Sequence, residues 1–225
     1  MYKRQDNIVH RINHSAGQPI EVDAETALLL DYAALCYELS EGLFDITSGV
    51  LREVWRFDGS DNLPAAEAVT QVVGRVGWNK VRWQNPVLQL PAGMEIDFGG
   101  IGKEYAVDRT GLLLQQAGFE HALVNYGGDL LAIGPRKSGE AWIVGIDSPV
   151  KQQGKVRRLK LQSGALTTSG DTHRYLLKDG VRYSHILDPK NGWPVPNAPR
   201  TVTVHAQTCL EAGMLATFAM LNGEN

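Results

Sequence analysis

The stretch Asp97-Phe98-Gly99-Gly100-Ile101-Gly102-Lys103-Glu104-Tyr105-Ala106-Val107-Asp108 constrains this chain more than any other. A carboxylate ends a short apolar strand, two glycines follow, and a helical pattern starts at once. A strand–glycine–helix junction of this kind presents free backbone N–H groups and the positive end of a helix dipole, both suited to a phosphate. The glycines remove side chains that would hold a pyrophosphate off. The standard phosphate motifs nevertheless fail. A dinucleotide fingerprint begun at Gly100 needs a third glycine where Tyr105 stands, and a P-loop read through Gly102-Lys103 needs a glycine at position 97 and a hydroxyl at 104, where the chain has Asp97 and Glu104.

Composition narrows the classes. Hydrophobic residues make up 43% and charged residues 21%, which is ordinary for a globular protein. A formal net charge of -3 argues against a nucleic-acid binder, which needs a basic field. No apolar run approaches the roughly 18 residues of a membrane span. Cys36 and Cys209 form no CxxC and read as buried thiols.

The hydrophobic pattern predicts a helix from about Asp23 to Glu41, capped by Asp23, stopped at Gly42, and marked by Leu28, Leu35 and Leu39 at helical spacing. Leu43 to Gly49 reads as a loop. A second helix runs from Pro64 to near Gly77, and strands around Val81 and Leu88 flank the turn pair Asn85-Pro86. The helix after the glycines closes near Gly118. Further strands fall at His121 to Tyr126, Leu130 to Ile133, Trp142 to Ile146, Val156 to Leu161, Val181 to His185 and Val202 to His205, before a last helix over Cys209 to Leu221. Gly164 to Asp171 reads as a hydroxyl-rich polar turn, and Asp147 to Lys155 and Asp188 to Pro199 as surface loops. Helices that precede a run of strands predict an α+β fold rather than a doubly wound one. His185, at a strand end beside the Asp188-Pro189 turn, is a candidate acid or base.

Five strings, taken in order, resemble the ApbE family of FAD:protein FMN transferases. They are Gly42-Leu43-Phe44-Asp45-Ile46-Thr47 with Trp55 downstream, the glycine junction, Val124-Asn125-Tyr126-Gly127-Gly128-Asp129, Thr168-Ser169-Gly170, and Ser184-His185-Ile186-Leu187-Asp188-Pro189. The resemblance runs from Arg11-Ile12-Asn13 to Leu221. It implies an ApbE-like α+β domain over 1–225, largely antiparallel or mixed sheet with packed helices, and truncated at both ends, since family members extend further.

The resemblance implies FAD as substrate, a divalent cation, usually magnesium, and transfer of the FMN half to a threonine or serine hydroxyl of a target flavoprotein with release of AMP. Some relatives hydrolyse FAD to FMN and AMP instead. Residue by residue, Leu43, Phe44, Asp45, Asp97, Lys103 and Leu187 match FAD-contacting positions and His185 matches the histidine linked to transfer. Gly100 matches a carbonyl ligand of the metal, and Thr217 a hydroxyl ligand. Gly213 and Ala216 stand where the family usually carries acidic residues, one of them a metal ligand, so the cation loses carboxylate oxygens. Glu211 lies about 200° around the helix from Gly213 and does not substitute. A flavin-binding protein with weak or no transfer is therefore the alternative. The resemblance further implies the periplasmic face of the cell envelope, reached through an upstream lipid anchor.

Overall fold

The computed structural model describes residues 7–146, 157–171 and 174–223. Its centre is a four-stranded antiparallel sheet in the order β11-β8-β5-β4. These strands are Ala122–Tyr126 (β4), Asp129–Ile133 (β5), Gly164–Gly170 (β8) and Thr201–Ala206 (β11). One face carries the helices α4 (Gly102–Gln116) and α5 (Cys209–Asn222), packed through Val107, Val124, Ala165 and Cys209. The opposite face buries Leu130, Ala132 and Leu166 against the hairpin of β6 (Trp142–Ile146) and β7 (Arg157–Leu161).

Two further apolar clusters flank this unit. In one, α2 (Ala24–Leu39) packs with Leu88, Leu90, Met94, Ile96 and Ile101. Here α1 (Ile8–Asn13) leads into a small sheet of β1 (Pro19–Glu21), β3 (Val87–Gln89) and β2 (Arg82–Gln84). In the other, a 3₁₀ helix over Ile46–Glu53 packs on α3 (Ala66–Val73) with Trp55 and Leu176. A hairpin of β9 (Tyr175–Lys178) and β10 (Val181–Ser184) completes the described elements.

The α+β expectation holds, and several local readings change. Asp23 does cap α2, accepting the Thr26 N–H at 2.8 Å. However, α2 buries Thr26, Ala27, Leu30, Ala33 and Cys36, while Leu28, Leu35 and Leu39 face outward. Small residues on the inner face allow close packing, and the leucine spacing misled. Gly164 to Asp171 is not a polar turn. It forms β8, an inner strand paired with both β5 and β11, because tertiary pairing overrides a hydroxyl-rich composition. Leu43 to Gly49 leads straight into the 3₁₀ helix, started by Asp45 as its cap. The apolar residues before Asp97 join no strand. Their backbone is held instead by the Asn13 side chain, which exchanges hydrogen bonds with Ile96 N–H and C=O at 2.8 and 3.0 Å. The Asp147 to Lys155 loop lies outside the described residues.

Candidate functional site

The glycine junction is built as a tight turn. Asp97 N–H donates to the Ile46 carbonyl, and its carboxylate accepts Gly99 N–H at 2.7 Å. Ile101 and Gly102 N–H both donate to the Phe98 carbonyl. Fewer amides are therefore free than the sequence implied. The α4 N-cap, Ile101, makes no side-chain hydrogen bond, and Glu104 is the acidic residue of the first turn. Gly100 packs on Phe44: a Cβ there would lie 2.9 Å from the ring. Gly49 sits under Asp97 in the same way, at 2.8 Å from its Cβ. Arg52, from the 3₁₀ helix, stands 3.5 Å from Asp97 and pairs with Glu95.

Asp45 takes a role that the resemblance did not imply. Its two oxygens accept Thr47 N–H and Oγ1–H at 2.8 and 2.6 Å and Trp78 N–H at 2.8 Å. Its carboxylate is buried and spent on holding the 3₁₀ helix to Trp78, so it presents no charge outward. Leu43 and Phe44 belong to the α2 cluster. Leu187 packs on the Val50–Leu51–Trp55 cluster, on the other side of the 3₁₀ helix. That helix thus carries Asp97 through Gly49 and Arg52, and Leu187 through Val50 and Leu51.

His185 is half-buried beside Phe57. Its Nδ1 lies 3.2 Å from the Arg174 carbonyl. A carbonyl only accepts, so Nδ1 carries the proton in this bond and Nε2 is left as the acceptor of the neutral ring. Burial first, then the Arg174 charge, pushes the imidazole below its ordinary value. The Arg174 carbonyl and Asp171 pull the other way without reversing the shift. Asp171, at the end of β8, is itself held by Arg182 and Arg200 at 2.8 and 2.9 Å.

β8 links this histidine to a second set of groups. Thr167, Ser169 and Asp171 are alternate residues, and alternate residues face one way along a strand. Ser169 Oγ lies 3.4 Å from Thr217 Oγ on α5. Lys103 Nζ lies 2.8 Å from the Asp129 carboxylate, which is 2% exposed. Glu104 Oε2 and Thr167 Oγ1 are buried without a hydrogen-bond donor, whereas the buried Asp129 Oδ2 is paired with Lys103 Nζ. Burial first, and then the facing Asp129 charge, raises Glu104 above the ordinary carboxylate range. Orphaned carboxylate and hydroxyl oxygens beside Thr217 are hard donors of the type that fits a divalent cation. Among the described residues there is no group of three His, Cys, Asp or Glu side chains placed to hold a metal, so any cation site here relies on hydroxyl and carbonyl oxygens as well.

The matched residues therefore fall into two groups, joined by the 3₁₀ helix and β8. Asp97, Gly100 and Phe44 lie at the glycine turn, with Lys103 following in α4. His185 and Leu187 lie beyond Trp55. Sequence reasoning missed Glu104, Asp129 and Thr167 as a cluster. Glu104 and Asp129 do lie inside the quoted motifs, which is the signal that was available.

A base that starts neutral and a set of hard oxygen donors are the two kinds of group that hydroxyl attack on a phosphate ester requires, and the chain carries both. The fold and the site thus define a group-transferring enzyme. The chain belongs to the ApbE family, whose sequence model matches residues 2–225. It is similar to an FAD:protein FMN transferase of Vibrio cholerae, 32% identical over 98% of this chain and 68% of that protein. It is likewise similar to one of Salmonella typhimurium, 31% identical over 98% of this chain and 66% of that protein. The chain thus spans about two thirds of the length of these curated relatives. Among solved structures it resembles the ApbE protein of Thermotoga maritima, with TM-score 0.86, 34% identity and 97% of this chain against 72% of that one. It also resembles the flavin transferase ApbE of Vibrio cholerae, with TM-score 0.85, 31% identity and 96% of this chain against 71% of that one.

Proposed function

We propose that this chain transfers the FMN half of FAD to a threonine or serine hydroxyl of a target flavoprotein and releases AMP. The observation that carries the reading is the match to flavin transferases over nearly the whole chain. In the reaction the acceptor oxygen bonds to the FMN-side phosphorus, the pyrophosphate P–O bond breaks, and AMP leaves with its oxygen. His185 Nε2 takes the acceptor proton, as a neutral imidazole held by Arg174 can. The Gly99-Gly100 turn and the open end of α4 receive phosphate oxygens. Lys103 adds a point charge, and Phe44, Leu43 and Leu187 supply apolar surface for the flavin. A divalent cation, magnesium in this reading, would be held by the Gly100 carbonyl and Thr217 hydroxyl and would neutralise charge on the pyrophosphate and departing AMP. Location at the periplasmic face, through a lipid anchor outside this chain, belongs to the same proposal. Cell fractionation tests it.

Incubation with FAD, magnesium and an acceptor polypeptide should add one FMN to the acceptor mass. An unmodified acceptor at every magnesium concentration would sink the reading. Gly213 favours a second reading, binding without fast transfer. There FAD affinity is the same with and without magnesium, and no adduct forms. Hydrolysis of FAD to FMN and AMP uses the same site with water as the attacking group. It is recognised by AMP release without an acceptor.

A further inference from the structure

Glu104 and Gly213 share one volume. A Cβ built on Gly213 would stand 2.7 Å from Glu104 Cγ and 3.3 Å from its Cδ and Oε1. The space that a side chain at 213 would enter from α5 is filled from α4. Two contacts fix what lies below. Cys209 packs with Ala165, and Thr217 lies 3.4 Å from Ser169. Gly213 is midway between the two helix positions, as Thr167 is between the two strand positions, so Thr167 faces Gly213. Leu131 pairs with Ala165 and Leu130 with Leu166, and the same register sets Asp129 beside Thr167. Thr167 is 1% exposed and its hydroxyl has no partner. Asp129 is 2% exposed, touched by Lys103. Glu104 Oε2 is buried and also unpartnered.

The unpartnered oxygens of Glu104 and Thr167 come from α4 and β8 toward the α5 face that carries Gly213 and Thr217, and Asp129, paired with Lys103, joins them from β5. A buried polar atom without a partner calls for an explanation, and a bound ion is one. A carboxylate is the hard oxygen donor that a divalent cation demands, and Gly213 cannot supply one.

We propose that Glu104 is the carboxylate ligand of the divalent-cation site in this chain, delivered from α4 in place of a side chain from α5. Asp129 and Thr167 back it, the aspartate tied to Lys103. The proposal rests on the transferase reading and goes beyond it by naming a ligand in a different helix. One consequence is that Gly213→Asp alone does not fit, because its Cβ would meet Glu104.

The test uses Mn2+ as the probe, titrated by its electron paramagnetic resonance signal in the presence of FAD. Glu104→Gln keeps the shape and removes the charge. Its Mn2+ affinity should fall about tenfold or more, while FAD binding without metal and the melting temperature in chelator are retained. The pair Glu104→Ala with Gly213→Asp should regain Mn2+ binding that Glu104→Ala alone lacks. Wild-type affinity in Glu104→Gln overturns the proposal, and so does a wild type that binds no Mn2+. Should the double variant not fold, the Glu104→Gln titration alone decides. FMN transfer by the wild type is scored separately. An active enzyme whose Mn2+ affinity ignores Glu104 loses this ligand assignment and keeps the transferase reading.

Discussion

His185 is poised by one hydrogen bond. With Nδ1 donating to the Arg174 carbonyl, Nε2 is free to take a proton, and burial keeps the ring neutral. His185→Ala should lower the transfer rate by about 10²–10⁴-fold, the range of a lost general base, with FAD affinity little changed. The acid limb of the pH–rate profile should fall below the ordinary histidine value of about 6.5, because the folded pKa is lowered. A limb above that value would contradict the assignment. Asp171 behaves in the opposite sense. Burial alone would raise its pKa, but Arg182 and Arg200 overcome burial and hold it low. A lowered carboxylate stabilises the fold above its unfolded pKa of about 3.9 and loses that contribution as pH falls through the folded value. Asp171→Asn should therefore lower the melting temperature at neutral pH and narrow its gap to wild type under acid. A gap that widens under acid would refute this. At Gly100 a methyl group would press on the Phe44 ring. Gly100→Ala should cost about 1–3 kcal/mol by overpacking and weaken FAD binding, and Phe44→Leu in the same chain should relieve part of the cost. Among these residues, the place of His185 at a strand end and of Gly100 in a tight turn before a helix was legible in the sequence. The inward role of Asp45 was not, because its partner Trp78 is distant in sequence.

At the scale of elements, α4 and α5 are locked to each other as well as to the sheet. Asp108 accepts Cys209 and Leu210 N–H at 2.7 and 2.9 Å, so α4 caps the start of α5 alongside the Thr208 side chain. Asp108→Ala should cost about 0.5–2 kcal/mol, the range for a lost cap. Since α5 carries Thr217, cation affinity should drop with it. Thermal melts and Mn2+ titration of the same variant check both. The helices α2, α4 and α5 were read well, since caps and stops such as Asp23 and Gly42 act locally: Gly42 adopts φ +80 and its N–H bonds the Tyr37 carbonyl at 2.8 Å. The expected Pro64 to Gly77 helix is the shorter Ala66–Val73, and the 3₁₀ helix was read as a loop. β8 escaped the sequence reading because what makes Thr167-Thr168-Ser169 a strand is pairing with β11, in a strand that β5 also joins at Gly164 to Leu166, and composition does not record pairing. The face of α2 was misread for the same reason: Ala27 and Ala33 are inside by virtue of what packs on them, not by their hydrophobicity.

Across the whole molecule, the sheet separates its tasks. The hairpin of β6 and β7 covers one face with apolar contacts, and the other face gathers α4, α5 and the Glu104, Asp129 and Thr167 oxygens. The resemblance foresaw the family and the fold. It also flagged Gly213 as a departure, yet nothing in linear order tied that glycine to Glu104. Only packing α5 against α4 brings them into one space. The departure then reads as an exchange of carboxylates between two helices rather than a loss. The central claim remains group transfer from FAD, and stoichiometry tests it most directly. With FAD, magnesium and an acceptor bearing a threonine, AMP and flavinylated acceptor should appear in equal amounts. AMP without adduct, or neither product, would contradict it.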